Sequence, residues 1–183
     1  MSGRPSAGPV VVVRDALPAD LPIVQSIYSH HVLHGLASFE EVPPAVVEIE
    51  RRYRDIVARG LPYLVAECDG RVAGFAYAGP YRTRPAYRYT VEDSVYIAPD
   101  AVGKGLGHAA LSEVIRRTTA RGFRQMIAII GDSGNLPSIR LHERVGFRRA
   151  ATLHAVGFKF GRWVDSVIMQ LGLGTGDTRL PDR

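Results

Sequence analysis

The sequence predicts an α/β (α+β) domain, a mixed sheet flanked by helices. Three observations predict it. A β-branched run opens the chain at residues 10–14, "VVVVR". Two helical periods follow it. Mid-chain, a strand pattern then runs through a loop with three glycines in five residues (Gly103, Gly105, Gly107) into a helical pattern.

Each element has a local reason. After the first strand, "LPADLPIVQSIYSHHV" begins a helix with Pro18 or Asp20 near its N-terminus and Ile23, Ile27, Tyr28 and His31 on one face. "PPAVVEIERRYRDIVARG" reads as a second helix, with Pro43 and Pro44 at its start, a stripe of Val46, Ile49, Tyr53 and Ile56, and Gly60 as its stop. "YLVAECDGRVAGFAYAGPY" holds two strands around an Asp69-Gly70 turn. "YRYTVEDSVYI" is a further strand. The glycine loop leads into a helix over 106–121, with Leu106, Ala110, Leu111, Val114 and Ile115 inward and Gly122 ending it. "QMIAIIG" is a buried strand, and "NLPSIRLHERVGF" a short helix capped by Asn135 with Gly146 past its end. "TLHAVGFKFGRWVDSVIMQLGL" supplies two last strands. One domain over 10–173 is expected, between a disordered N-terminal stretch (1–9) and a flexible tail (174–183).

The chain has 183 residues, enough for a real core, and 46% hydrophobic against 22% charged residues excludes disordered and membrane classes. A net charge of +5 favours anionic ligands. The basic residues are scattered without a nucleic-acid-binding spacing, so no nucleic-acid partner is expected. Cys68, the single cysteine, excludes an internal disulfide and reads as a packed thiol. His30, His31 and His34 lack a carboxylate or cysteine framework, so no metal is expected. The N-terminal apolar run is too short for a signal peptide and no 18-residue apolar run exists, which gives a cytoplasmic expectation with no membrane partner.

Glycine loops at helix starts cradle phosphates, because bare backbone lets N–H groups converge and the helix dipole favours an anion. A P-loop would need G-x-x-x-x-G-K-[ST], which is absent. A dinucleotide fingerprint would need G-x-G-x-x-G after an early strand, whereas the spacing here is G-x-G-x-G after a mid-chain one. A tight strand-to-helix connection and a pyrophosphate held by backbone amides, as in coenzyme A binding, remain.

"VYIAPDAVGKGLGHAAL" followed by "NLPSIRLHERVGF" resembles the two signature segments of the GNAT superfamily of N-acetyltransferases. "VAGFAYAGP", "AYRYTVEDSVYI", "SIRLHERVGF" and "VGFKFGRWVDSVIMQL" resemble its phosphinothricin and methionine sulfone/sulfoximine N-acetyltransferase branch. The resemblance implies a twisted, mostly antiparallel mixed sheet and acetyl-CoA as cosubstrate. It also implies a small amine or amino-acid acceptor, direct attack in a ternary complex, and a homodimer. One departure stands out: Ala101 and Val102 replace the Gln or Arg frequent ahead of the first glycine.

By the same resemblance, Val95, Tyr96 and Ile97 align the pantetheine arm. Gly103, Lys104, Gly105, Leu106, Gly107 and His108 hold the pyrophosphate, and Asn135 and Ser138 complete the cofactor site. Glu92 matches the general base; a plain outward-facing strand residue is the alternative. Asp93 falls on the opposite face by strand parity, in a supporting role. His142 stands where many relatives have a thiolate-protonating Tyr; a half-buried helix histidine is the alternative. Phe39, Arg82, Pro85, Ala86, Tyr87 and Arg88 match the acceptor side, with Ser38 and Glu40 beside Phe39 and arginine forks suited to a carboxylate. Phe158 and Trp163 read as pocket wall or core. The other readings are acetylation of a different amine or a protein N-terminus, and a non-catalytic acetyl-CoA sensor.

Overall fold

Asp69 and Gly70 both take positive φ, 51° and 78°, and this turn folds β2 (Tyr63–Cys68) back onto β3 (Arg71–Pro80). The computed structural model describes residues 8–181. In it seven strands form one sheet, in the order β1-β2-β3-β4-β5-β7-β6. The others are β1 (Val11–Asp15), β4 (Thr90–Ile97), β5 (Gln125–Gly131), β6 (Arg148–Lys159) and β7 (Arg162–Gly172). Every neighbouring pair is antiparallel except β4–β5. That parallel pair needs a crossover, which α3 (Leu106–Ala120) supplies.

The β4–β5 ladder covers only Thr90, Val91 and Glu92, whereas β4 stays paired to β3 as far as Ile97. The two central strands therefore part after Glu92 and open a slot in the middle of the sheet. On one face, Tyr63 stacks on Tyr77 (centroids 5.0 Å) and Phe75 on Tyr96 (5.2 Å). Tyr28 of α1 (Leu21–His34) and Tyr53 of α2 (Val46–Ala58) meet this layer edge-on. Each such ring pair adds ~0.5–1.5 kcal/mol beyond its buried area. Ile97, of opposite strand parity to Tyr96, packs instead beside Gly107 of α3 and Leu141 of α4 (Leu136–Arg144).

Several boundaries differ from the sequence reading. Leu17, before Pro18, is extended (φ −105°, ψ 156°), as a residue preceding proline is pushed to be, and a 3-10 turn over Pro18–Asp20 then precedes α1 at Leu21. Helix α2 begins at Val46, past Pro43 and Pro44. Ile23 is exposed and Val24 takes its place in the core, which rotates the inward face of α1. A 3-10 turn at Pro85–Tyr87 delays β4 to Thr90. Strand β6 begins at Arg148, ahead of the expected run. Phe158 and Trp163 are exposed and meet edge to face, so neither is core. Cys68 is buried. Of the expected disordered N-terminus, residues 1–7 lie outside the described residues. In the tail, hydrogen-bonded turns run over residues 174–178.

Candidate active site

Strand β4 builds the site through both its backbone and its side chains. The Ala98 N–H donates to the Ala73 carbonyl across the β3 side at 2.8 Å. By alternation, Val95 and Ile97 turn their peptide groups the other way, into the slot. His31 of α1 donates from Nε2 to the Ile97 carbonyl at 2.8 Å, and burial lowers the His31 pKa. A groove of about 1090 Å³ runs from there along the glycine loop. Gly103 and Gly105 have φ of 82° and 87°, a backbone that side chains resist, and Gly105 directly precedes α3. The first α3 amide bonded within the helix is that of Ala109, to Gly105 at 3.1 Å, so the amides of Leu106, Gly107 and His108 stay open toward the groove. An anion there meets three N–H groups and a helix dipole.

Of the cofactor residues expected from the sequence, Val95, Tyr96, Ile97, Gly103, Gly105, Leu106, Gly107, His108, Asn135 and Ser138 line this groove. Lys104 is exposed and does not line it. Asn135 caps α4, its Oδ1 accepting the Ser138 N–H at 3.3 Å. Ala101 is packed and Val102 exposed at the groove edge, so no polar side chain stands there.

A second cavity of about 430 Å³ adjoins the groove through Val95, Tyr96, Asn135 and Ser138, which line both. Glu92 lies in its wall. Burial first, and then the neighbouring Asp93 charge, raise the Glu92 pKa to about 7, with Arg82 opposing. A carboxyl half in each form near neutral pH suits a general base. Opposite stands the segment after α1. The Tyr28 hydroxyl lies 2.8 Å from Ser38 Oγ and donates to Glu40 at 3.0 Å, while Arg52 holds the same Glu40 oxygen at 2.7 Å. The buried Lys159 ammonium donates to the carbonyls of Gly35 (3.0 Å) and Ser38 (2.7 Å), and its burial lowers its pKa. Phe39 lies against Gly157, where an added Cβ would fall 2.5 Å from its ring.

Asp93 and His142 meet on the α3–α4 face of β4. His142 Nε2 lies 3.0 Å from Asp93 Oδ2, and Nδ1 donates to the Ser138 carbonyl at 2.7 Å. Both side chains are almost wholly buried, 5% and 2% exposed. Burial lowers the His142 pKa, but the Asp93 hydrogen bond and charge, with the Ser138 carbonyl, outweigh it and raise the pKa above 6.5.

The structure gathers Glu92, His142 and Phe39 in one cavity wall but leaves Arg82, Pro85, Ala86, Tyr87 and Arg88 outside it. These five sit on the loop between β3 and β4, which the Pro85–Tyr87 turn holds at the surface. Arg82 lies over the rings of Tyr81 (5.1 Å) and Tyr87 (5.8 Å), and Arg88 over Tyr89 (4.8 Å). Arg82 is still near enough for its charge to act on Glu92. Sequence reasoning missed Tyr28, Tyr77 and Ser166 as cavity walls and His31 as a partner of Ile97. Strand alternation marks Tyr77 and Ser166 as facing one side, but nothing local says which side holds the cavity. Among the described residues no group of three or more His, Cys, Asp or Glu is placed to hold a metal, and no helix is long and apolar enough to cross a membrane.

Residues 26–147 match the acetyltransferase (GNAT) family. The phosphinothricin N-acetyltransferase of Alcaligenes faecalis is 55% identical over 173 residues, covering 94% of this chain and 86% of that protein. The L-methionine sulfoximine/L-methionine sulfone acetyltransferase of Pseudomonas aeruginosa is 41% identical over 162 residues, covering 88% and 94%. A crystal structure of a phosphinothricin acetyltransferase from Sinorhizobium meliloti in complex with acetyl-CoA superposes with a TM-score of 0.91. It is 46% identical and covers 94% of each chain.

Proposed function

The chain belongs to the acetyltransferase (GNAT) family and is an acetyl-CoA-dependent N-acetyltransferase, and we propose that its acceptor is a small amino acid of the phosphinothricin or methionine sulfone/sulfoximine type. The observation that carries the mechanism is Glu92, half-buried in a cavity that opens into the cofactor groove where β4 and β5 part.

Acetyl-CoA supplies a thioester-activated acetyl group. The open amides of residues 106–108, with the bare backbone of Gly103 and Gly105, hold its pyrophosphate, and Lys104 adds charge at the rim. The slot-facing peptide groups of Val95 and Ile97 receive the pantetheine arm as an added strand, between Tyr96, Asn135 and Ser138. The Ile97 N–H polarises the thioester carbonyl. Glu92 takes a proton from the acceptor amine, and His142 returns one to the departing thiolate. Phe39 supports the acceptor. The loop of Arg82, Pro85, Ala86, Tyr87 and Arg88, outside the cavity wall, offers its guanidinium groups to the acceptor carboxylate. The exposed Leu153, Val156, Phe158, Phe160 and Trp163 on the β6–β7 hairpin suit the face of a homodimer, and a cytoplasmic enzyme fits this chemistry.

The test is a thiol-release assay over a panel of free amino acids, amines and peptides, with Glu92→Gln as the control. Turnover of phosphinothricin or methionine sulfoximine, lost in Glu92→Gln, is expected. Turnover of peptides alone, or acetyl-CoA binding with no acceptor consumed, would overturn the assignment.

A further inference from the structure

His142 has two ring nitrogens, and each faces an acceptor. Nδ1 meets the Ser138 carbonyl at 2.7 Å, which can only accept, so Nδ1 carries a proton. Nε2 meets Asp93 Oδ2 at 3.0 Å. A second proton must lie between those two atoms, since a bare nitrogen lone pair against a carboxylate repels. The pair is buried, and among the described residues Asp93 Oδ1 is buried with no donor. Among the described residues, the side-chain bond that Asp93 makes is thus the one to His142, at the wall of the cavity of about 430 Å³.

We infer that Asp93 is the positioning residue that sets the proton inventory of the site: it keeps His142 an imidazolium on one face of β4 and presses its charge on Glu92 on the other. Strand parity puts Glu92 and Asp93 on opposite faces, so one carboxylate acts on both the base and the acid. Given that His142 supplies the thiolate proton, as assigned above, the protons balance. The amine nitrogen bonds to the acetyl carbon and the carbon–sulfur bond breaks. The amine proton goes to Glu92, the Nε2 proton leaves its Asp93 hydrogen bond and goes to the sulfur, and Glu92 later returns a proton to His142 through solvent. The Nδ1 proton stays committed to the helix. Loss of the Nε2 proton leaves Asp93 facing a lone pair, which drives recharging.

Asp93 is the charged side chain that meets His142 from β4. On its own helix the charged neighbours Arg140, Glu143 and Arg144 are exposed, and Phe147 meets the ring edge-on at 5.1 Å. Burial opposes the charged imidazole, so without Asp93 the ring loses its extra proton at lower pH.

The deciding measurement is nitrogen-15 NMR of the His142 ring in the wild-type enzyme, which needs no variant to fold. The expected result is a ring protonated on both nitrogens at pH 7. A neutral ring protonated on Nδ1 alone overturns the inference. Asp93→Asn, checked for acetyl-CoA binding, should move the His142 titration down by about 1 pH unit or more. It should also shift both limbs of the kcat/KM profile toward acid. The acid limb falls because Glu92 loses a like charge, and the basic limb because His142 loses its partner. Unmoved limbs with only a lower plateau would mark Asp93 as merely structural and overturn the inference. His142→Phe tests the underlying assignment separately: wild-type kcat in that variant removes His142 as the proton donor, while the NMR result still decides what Asp93 does to it.

Discussion

His31 Nε2 of α1 donates a 2.8 Å hydrogen bond to the carbonyl of Ile97, the last residue of β4. It ties the first helix to the strand end whose peptide groups face the slot. Replacing His31 with Phe removes the donor and frees the strand end, a loss of ~0.5–1.5 kcal/mol for a neutral hydrogen bond. We expect kcat to fall about threefold to tenfold, in proportion to that energy. His31→Gln, which can still donate, should recover most of it. Equal losses in Phe and Gln variants would show that ring packing, not the donated bond, matters.

Glu92 fixes the acid limb. Its base form prevails only above a pKa of about 7, raised by burial and by Asp93. kcat/KM should therefore climb about tenfold per pH unit below that point and flatten above it until the basic limb of His142 sets in. In Glu92→Gln the rate should fall by ~10²–10⁴ and the limb vanish. Stability moves the other way. The native carboxyl keeps its proton between its ordinary 4.5 and about 7, where the unfolded one has released it, so stability falls as pH rises through that window. Calorimetry at pH 8 should find Glu92→Gln with the higher Tm.

Lys159 is the tie for the segment facing Glu92. Lys159→Met leaves the Gly35 and Ser38 carbonyls without this donor. The cost is ~2 kcal/mol, read as a Tm drop of about 4–8 °C. The KM for the acceptor should rise while acetyl-CoA affinity holds. An unchanged acceptor KM would mean the segment does not shape that site.

Gly105→Ala tests the anion cradle. At φ 87° a side chain costs ~1–2 kcal/mol, relieved by turning the loop amides away from the groove. Titration calorimetry should find acetyl-CoA binding about fivefold to thirtyfold weaker. At saturating acetyl-CoA, kcat should stay near wild type, because Gly105 lies in the loop and not beside Glu92.

The glycine loop, the Asp69-Gly70 hairpin and the capped helix at Asn135 were legible because each is a local rule: a positive φ, a two-residue turn, a side chain reaching its own helix start. Parity along β4 likewise placed Glu92 and Asp93 on opposite faces. Arg82 and Arg88 were less legible. Their charge suits an acceptor carboxylate, but the Pro85–Tyr87 turn and the surrounding tyrosines hold them outside the cavity wall. Phe158 and Trp163 carry an apolar pattern that cannot distinguish a core from an outer face on the last hairpin.

By itself, then, the sequence determined the order of elements, the anion-binding loop and a carboxylate on the central strand, since these depend on neighbours a few residues away. Only the tertiary structure decided that β4 and β5 part after Glu92, that Lys159 reaches Ser38 across 121 positions, and that Asp93 meets His142 across 49. Such pairs are set by how helices pack on a twisted sheet, and a side chain carries no local mark of a partner that distant.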